Sequence, residues 1–256
     1  MASIGKDGRI KLTSSEKALL LADCNSLCPL CGNALIFEKN GKGAGFQAAH
    51  IYPHSPTNEQ KIALQGVPMP KDVESLDNII LLCERSHNIQ DFHTTKQDYL
   101  RLYNIKQRLL RQRLAKESIA EINIEPEIDQ ILEELTKLTP DDLIELKMIP
   151  VEVEQKVSDI PLKTKILGYV SQYFNYIKAK LQNIDKLHNF CSEAIAKEIS
   201  LCFTKIKRKE LIIDQNIVFD AITDWLVSKT HGSRSVCEII VAYFVQDCEV
   251  FDAPSK

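Results

Sequence analysis

Along the chain the spacing of apolar positions changes from helical to alternating and back to helical. Thr13-Ser14-Ser15-Glu16 sets a hydroxyl three residues ahead of a carboxylate, predicting a capped short helix through Leu21. Ala34–Glu38 and Gly45–His50 alternate with a period of two on either side of Asn40-Gly41-Lys42-Gly43, predicting two short strands joined by a turn. A loop follows with Pro53, Pro56, Pro68 and Pro70, holding one short helix near Lys61–Leu64. Within Ser75–Cys83 the run Ile79-Ile80-Leu81-Leu82 reads as a buried strand. From Arg85 the spacing is helical, and Thr94 or Thr95 caps a long helix that reaches about Ser118. Everything beyond has helical spacing: Glu127–Leu138, Pro140–Lys147, Lys163–Leu181, Leu187–Lys209, Gln215–Ser228 and Ser233–Val250. Residues 148–162, with Pro150 and Pro161, read as a connector. The expectation is an α+β chain: a small mixed module followed by an all-α helical domain.

Composition sharpens the division. The chain has 256 residues, 44% apolar and 26% charged, enough for two ordinary domains with packed cores and unlike a globally disordered chain. Its net charge is −3, so any basic surface has to be local. Residues 93–120 carry Lys96, Arg101, Lys106, Arg108, Arg111, Arg113 and Lys116 against Asp98 and Glu117, while residues 121–160 carry twelve acids and three lysines. That reversal predicts three parts: 1–120 with a basic C-terminal helix, 121–162 as an acidic helical linker, and 163–256 as a helical docking or oligomerisation domain. No apolar run reaches the roughly 18–20 residues of a membrane span, and Met1–Lys11 lacks the hydrophobic segment of a signal peptide. A cytoplasmic protein that stays off membranes is expected, with its eight cysteines reduced. Cys24, Cys191, Cys202, Cys237 and Cys248 sit in apolar helical contexts and read as core residues. Cys28, Cys31 and Cys83 do not.

The candidate chemistry lies between those three cysteines and the basic helix. His50, in Ala48-Ala49-His50-Ile51-Tyr52-Pro53, ends a predicted strand and suits a general base, since an imidazole titrates near neutral pH. Asn78, in Leu76-Asp77-Asn78-Ile79, taken alone is a turn residue before a strand. His87 and Asp91 are four residues apart at the start of a helix, one turn apart on one face. An imidazole and a carboxylate so placed can share one divalent ion and leave coordination positions open. Cys28-Pro-Leu-Cys31-Gly32 reads as a tight knuckle.

In order, the chain has C-x2-C, A-H-I-x-P, D-N-x4-C and H-x3-D, and this set resembles the HNH, or ββα-metal, endonuclease family over about residues 13–105. The resemblance implies a metal-dependent DNA endonuclease. In it His50 takes a proton from water, and His87 and Asp91 hold Mg²⁺ or Mn²⁺ at the scissile phosphate. Asn78 keeps the loop bearing His50 in orientation. Many members carry a metal ligand directly before the base, where this chain has Ala49; His54 or Glu84 is a substitute ligand. Cys28, Cys31 and Cys83 match three corners of the family's structural Zn²⁺ site, and the fourth falls on Ser86, with Cys24 or His93 as replacements. The alternative is a knuckle that survives on packing. Arg101, Lys106, Arg108, Arg111 and Arg113 are the expected phosphate contacts, on the face opposite a stripe of Leu100, Tyr103, Leu110 and Leu114.

Beyond residue 120 no catalytic constellation stands out. Ser235–Phe251 is apolar on nearly all sides and is buried either in its own domain or against a partner. The surroundings of Trp225 and the ending Tyr-Phe-Val-Gln-Asp-Cys-Glu-Val-Phe resemble the C-terminal interaction domain of effectors in bacterial ABC three-component (Lamassu-type) anti-phage systems, over about residues 165–252. That resemblance implies an SMC-like ATPase and a middle subunit as partners; because nucleases regulated by assembly often need two active sites to cut both strands, a homo-oligomer is the expected active form. The rival readings are a stand-alone HNH restriction nuclease and a non-catalytic DNA-binding or assembly subunit with a decayed HNH module.

Overall fold

The computed structural model describes residues 3–4, 10–36, 45–92, 95–143, 150–209, 214–247 and 250–251, with the backbone alone at 3, 4, 10, 91 and 92. The chain divides into two compact units, Met1–Arg113 and Leu114–Lys256.

In the first unit, β1 (Ser3–Ile4) and β2 (Ile10–Lys11) form a short antiparallel pair. The predicted capping box starts α1 (Ser14–Asp23): the Thr13 hydroxyl accepts from the Glu16 N–H at 3.2 Å, and the Glu16 carboxylate accepts from the Thr13 N–H at 2.7 Å. Asn25 and Ser26 then take positive φ, and the Ser26 N–H closes the helix end on the Leu21 carbonyl at 2.8 Å. The knuckle follows, with Gly32 N–H on Cys28 O at 2.8 Å and Cys28 N–H on Asn33 O at 2.7 Å. Gly32 has φ +75°, which explains a glycine directly after Cys31.

β3 (Phe46–His50) pairs antiparallel with β4 (Ile79–Cys83), Phe46 opposite Cys83 and His50 opposite Ile79. β3 lies within the predicted Gly45–His50, and the partner the structure shows for it is β4; the expected turn and the end of the expected Ala34–Glu38 strand lie outside the described residues. Ala34 makes an isolated bridge to Leu27, Gly45 N–H reaches Leu35 O at 3.0 Å, and residues 37–44 lie outside the described residues. The reason is burial: all five residues of β4 are buried, so its backbone needs a strand partner, and β3 supplies it. The loop between them carries α2 (Asn58–Ala63), and α3 (Glu84–Phe92) begins on the residue after β4 and packs on both strands. Thr95 accepts from Asp98 N–H at 3.1 Å at the start of α4 (Lys96–Ile119), whose last residues from Leu114 belong to the second unit.

The second unit is all-α. It contains α5 (Ile128–Thr136), α6 (Val151–Lys156), α7 (Ile160–Leu187), α8 (Cys191–Lys207), α9 (Gln215–Thr230) and α10 (Arg234–Gln246). Of the two fates open to the apolar C-terminal segment, the structure shows the first: every residue from Val236 to Val245 is buried within this unit, with α5, α6, α7 and α9 packed on α10. The one carboxylate in that stretch, Glu238, is compensated by Lys165 Nζ at 2.7 Å, the Tyr169 hydroxyl at 3.0 Å and Arg234 Nε at 3.3 Å. Trp225 is buried in α9 and donates its indole N–H to Ile122 O at 3.0 Å. Cys191, Cys202 and Cys237 are core residues, while Cys248 lies outside the described residues.

The acidic segment 121–162, expected as a linker, is part of this core: Ile122, Ile128, Ile131, Leu135, Val153 and Val157 are buried in it. Its apolar residues recur at helical spacing, and the acids occupy the other faces. Two helix boundaries also differ. Pro140–Asp142 is a single 3₁₀ turn, with residues 144–149 outside the described residues. The presumed connector 148–162 contains α6, and Pro161 falls in the first turn of α7, where a missing N–H costs no hydrogen bond. Among the described residues, no helix is long and apolar enough to cross a membrane.

Candidate active site and cysteine knuckle

His50 is the last residue of β3, and the register that sets it opposite Ile79 brings the loop after it alongside Asn78. Asn78 is buried at 4% exposure and makes three side-chain bonds there. Its Oδ1 accepts from Tyr52 N–H at 2.8 Å, and its Nδ2 donates to Tyr52 O at 2.9 Å and to Val73 O at 2.8 Å. Its own carbonyl accepts from Ile51 N–H at 2.8 Å. Asn78 thus ties together the two ends of the loop that joins β3 to β4. Next to Val73, Glu74 turns its carboxylate to His50: Oε1 lies 2.9 Å from His50 Nε2 and 2.5 Å from His54 Nδ1. The three donor atoms lie within 4.8 Å of one another, so they form one of two clusters among the described residues that could hold a metal ion. Glu74 escaped the sequence reading because it belongs to no spaced motif; its one signal is a carboxylate four residues before the Asn78 turn. His54, considered there as a ligand, does join His50, whereas Glu84 joins no such cluster among the described residues.

His87 lies half-buried on α3, and Asp91 lies one turn further along the same helix, its side chain outside the described residues. A helix that begins on the residue after β4 and packs on both strands completes a β–β–α unit, with His50 on one strand and His87 on the helix.

The second cluster is the knuckle. Cys28, Cys31 and Cys83 bring their sulfurs within 4.8 Å of one another, Cys31 and Cys83 at 3.5 Å. Ser86 fills the fourth corner: its Oγ lies 3.5 Å from the Cys28 sulfur and 3.3 Å from the Cys83 sulfur. Cys24, the alternative donor, caps α1 instead, with its thiol on Leu20 O at 3.3 Å, and His93 lies outside the described residues. Burial pushes the Cys28 thiol up, but backbone N–H groups of Cys83, Leu30 and Cys31 and the Ser86 hydroxyl outweigh it and bring it down to about 6. Three convergent thiols, one of them held toward its thiolate form, fit a soft divalent ion, and a serine hydroxyl is the weak fourth donor. Replacing Ser86 by cysteine is therefore expected to tighten zinc binding at least about tenfold, read by competition with a chromophoric chelator. Unchanged affinity would mean that the knuckle is a packing device.

The basic helix needs one correction. Its buried stripe runs through Tyr99 and Leu102, one position away from the expected stripe of Leu100, Tyr103, Leu110 and Leu114, and the spacing then carries Lys106 inside, at 1% exposure. Burial lowers the Lys106 ammonium to about 8, with Asp23 and Asp77 pulling it up and Arg113 pushing it down. Lys106 is therefore no phosphate contact. Arg113 is held by Asp23 at 2.9 Å and is 16% exposed, whereas Arg101 and Arg108 are exposed and Arg111 is half-buried. Arg101 also lines, with Arg85, Cys31 and Ser86, a pocket of about 360 Å³.

A buried lysine whose folded-state pKa lies below its unfolded one releases a proton on folding between the two values. Its contribution to stability rises as pH climbs from about 8 to about 10.5, by about 3 kcal/mol in all. Lys106→Met should stabilise the first unit at pH 7 by about 1–3 kcal/mol and remove that alkaline rise, measured by urea unfolding of both proteins across the window. Equal pH slopes in the two proteins would refute it.

Comparison with known families agrees with this geometry. Residues 28–93 match the HNH endonuclease model, and residues 115–251 match C-terminal domain 11 of the ABC-three component (ABC-3C) systems. No curated protein and no solved structure matches the chain. The second match spans more than half of the sequence and covers the helical unit built on α10. The chain belongs to the family that carries C-terminal domain 11 of the ABC-3C systems, with an HNH endonuclease domain ahead of it.

Proposed function

We propose that this protein is the DNA-cleaving effector of an anti-phage ABC-3C system, a metal-dependent endonuclease docked through its helical unit. One observation carries the reading: His50 ends a strand whose partner, β4, leads directly into the helix bearing His87 and Asp91. In this reading His50 removes a proton from the attacking water, whose oxygen forms the new bond to phosphorus. The bond from phosphorus to the 3′ oxygen breaks, leaving a 5′-phosphate and a 3′-hydroxyl. His87 and Asp91 would hold Mg²⁺ or Mn²⁺, and an ion so held supplies Lewis-acid charge for the phosphate and leaving oxygen. With Ala49 beside the base, few protein ligands hold the ion, which suits a site completed by the phosphate of its substrate.

Arg101, Arg108 and Arg111 would touch phosphates, contacts that position a duplex without reading its sequence. Cys28, Cys31 and Cys83 would hold Zn²⁺ with Ser86 in the fourth corner, fastening the knuckle beside β4. The helical unit would bind the system's other components, an SMC-like ATPase and a middle subunit, and paired copies would let two sites cut two strands. The test is conversion of supercoiled plasmid to nicked or linear form with Mg²⁺ or Mn²⁺, by the protein alone and with its ATPase and middle subunit. No cleavage under either condition sinks the proposal.

A further inference from the structure

Glu74 belongs to no spaced motif, yet its carboxylate lies within hydrogen-bond distance of the base. Its side chain is 17% exposed and that of His50 is 18% exposed, so the 2.9 Å contact between them is largely shielded from water. A carboxylate accepts hydrogen bonds and does not donate them. With Glu74 ionised, the proton in this contact sits on His50 Nε2, and a neutral ring then carries its lone pair on Nδ1. The same oxygen accepts a second hydrogen bond, from His54 Nδ1 at 2.5 Å, which fixes the carboxylate from its other side.

The loop around Glu74 is built to hold it there. Glu74 N–H donates to Asp72 Oδ1 at 2.9 Å, and Val73 O accepts from Asn78 Nδ2 at 2.8 Å. Asn78 in turn grips Tyr52 at both its N–H and its carbonyl. One buried amide thereby anchors the backbone one residue before Glu74 and two residues after His50.

We infer that Glu74 is the positioning residue of the base, selecting the Nε2–H tautomer of His50 and stabilising the imidazolium that forms when Nδ1 takes the proton of water. This rests on the nuclease reading above. When the water O–H bond breaks, its proton goes to Nδ1 and its electron pair goes to the new P–O bond. The Nε2 proton stays where it is, and the positive charge on the ring faces Glu74.

The test uses the full chain labelled with ¹⁵N-histidine, with His50→Ala assigning the His50 signals. In the unsubstituted protein His50 should show a protonated Nε2 and an unprotonated Nδ1. In Glu74→Gln that pattern should give way to a tautomer mixture or its inverse; His54, bonded to the same oxygen, should shift with it, while His87, His93, His188 and His231 report an intact fold. Cleavage by Glu74→Gln should lose roughly 100-fold or more in kcat, in line with what loss of a tautomer-setting carboxylate costs elsewhere. KM and the metal concentration at half-maximal rate should stay within about threefold. Glu74→Asp should recover part of the rate. Unchanged His50 nitrogen shifts in Glu74→Gln would overturn the inference. So would recovery of its rate on raising Mg²⁺ or Mn²⁺, which would make Glu74 a metal ligand. If the unsubstituted protein cleaves nothing but its spectrum shows the Glu74-dependent tautomer, the nuclease reading fails and the contact stands.

Discussion

Replacing His50 by alanine should lower DNA cleavage by about 10²- to 10⁴-fold, the range that a positioned general base contributes. The fold should be untouched, because His50 ends its strand and the ring is not part of the buried core. The loss should fall on kcat, since the arginines expected to bind phosphate stay in place. Exogenous imidazole should restore part of the rate by entering the gap the ring leaves. Cleavage that survives the substitution undiminished would assign the base elsewhere and turn the β–β–α unit into a scaffold.

Asn78→Ala should cost both stability and activity. The substitution leaves Tyr52 N–H, Tyr52 O and Val73 O without the partner they share in a buried position. Each buried group so orphaned costs about 1–3 kcal/mol, and water can reach some of them, so a loss on the order of 3 kcal/mol is expected in urea unfolding. Because the same amide anchors the loops of His50 and Glu74, cleavage should fall at temperatures where the protein is still folded. Asn78→Asp is no rescue, as it keeps one acceptor and loses both donations. A variant that melts like the parent and cuts like it would show that Asn78 is only a turn residue.

The parts of this molecule that the sequence reveals are those written in local spacing. The C-x2-C knuckle, the strand-ending His50, the Asn78 turn and the i, i+4 pair on α3 each lie within one element, and their order follows the chain. The helical unit was equally legible, because a period of about 3.6 survives through α7, α9 and α10. What stayed hidden depends on which elements meet. β3 pairs with β4, more than 25 residues on, because five buried residues in β4 demand a partner, and no local spacing states which strand will meet it. Glu74 reaches His50 only because Asn78 folds the intervening loop. Lys106 is different, since the Tyr99–Leu102–Lys106 phase was visible in the sequence and was outweighed by the net charge of the helix. The acids of residues 121–160 misled in the same way, masking the buried isoleucines between them.

Trp225 is the chain's one tryptophan, and it is buried in the helical unit with its indole N–H bonded to Ile122. Red-edge excitation therefore selects a fluorophore that belongs to the helical unit and to no part of the first unit. The far-ultraviolet signal, by contrast, sums over the helices of both. Denaturation followed by both signals tests whether the two units unfold in one transition or two, without cutting the chain or attaching a dye. Where the two signals part, the Lys106 and Asn78 substitutions read as changes in the first unit against the helical unit as control.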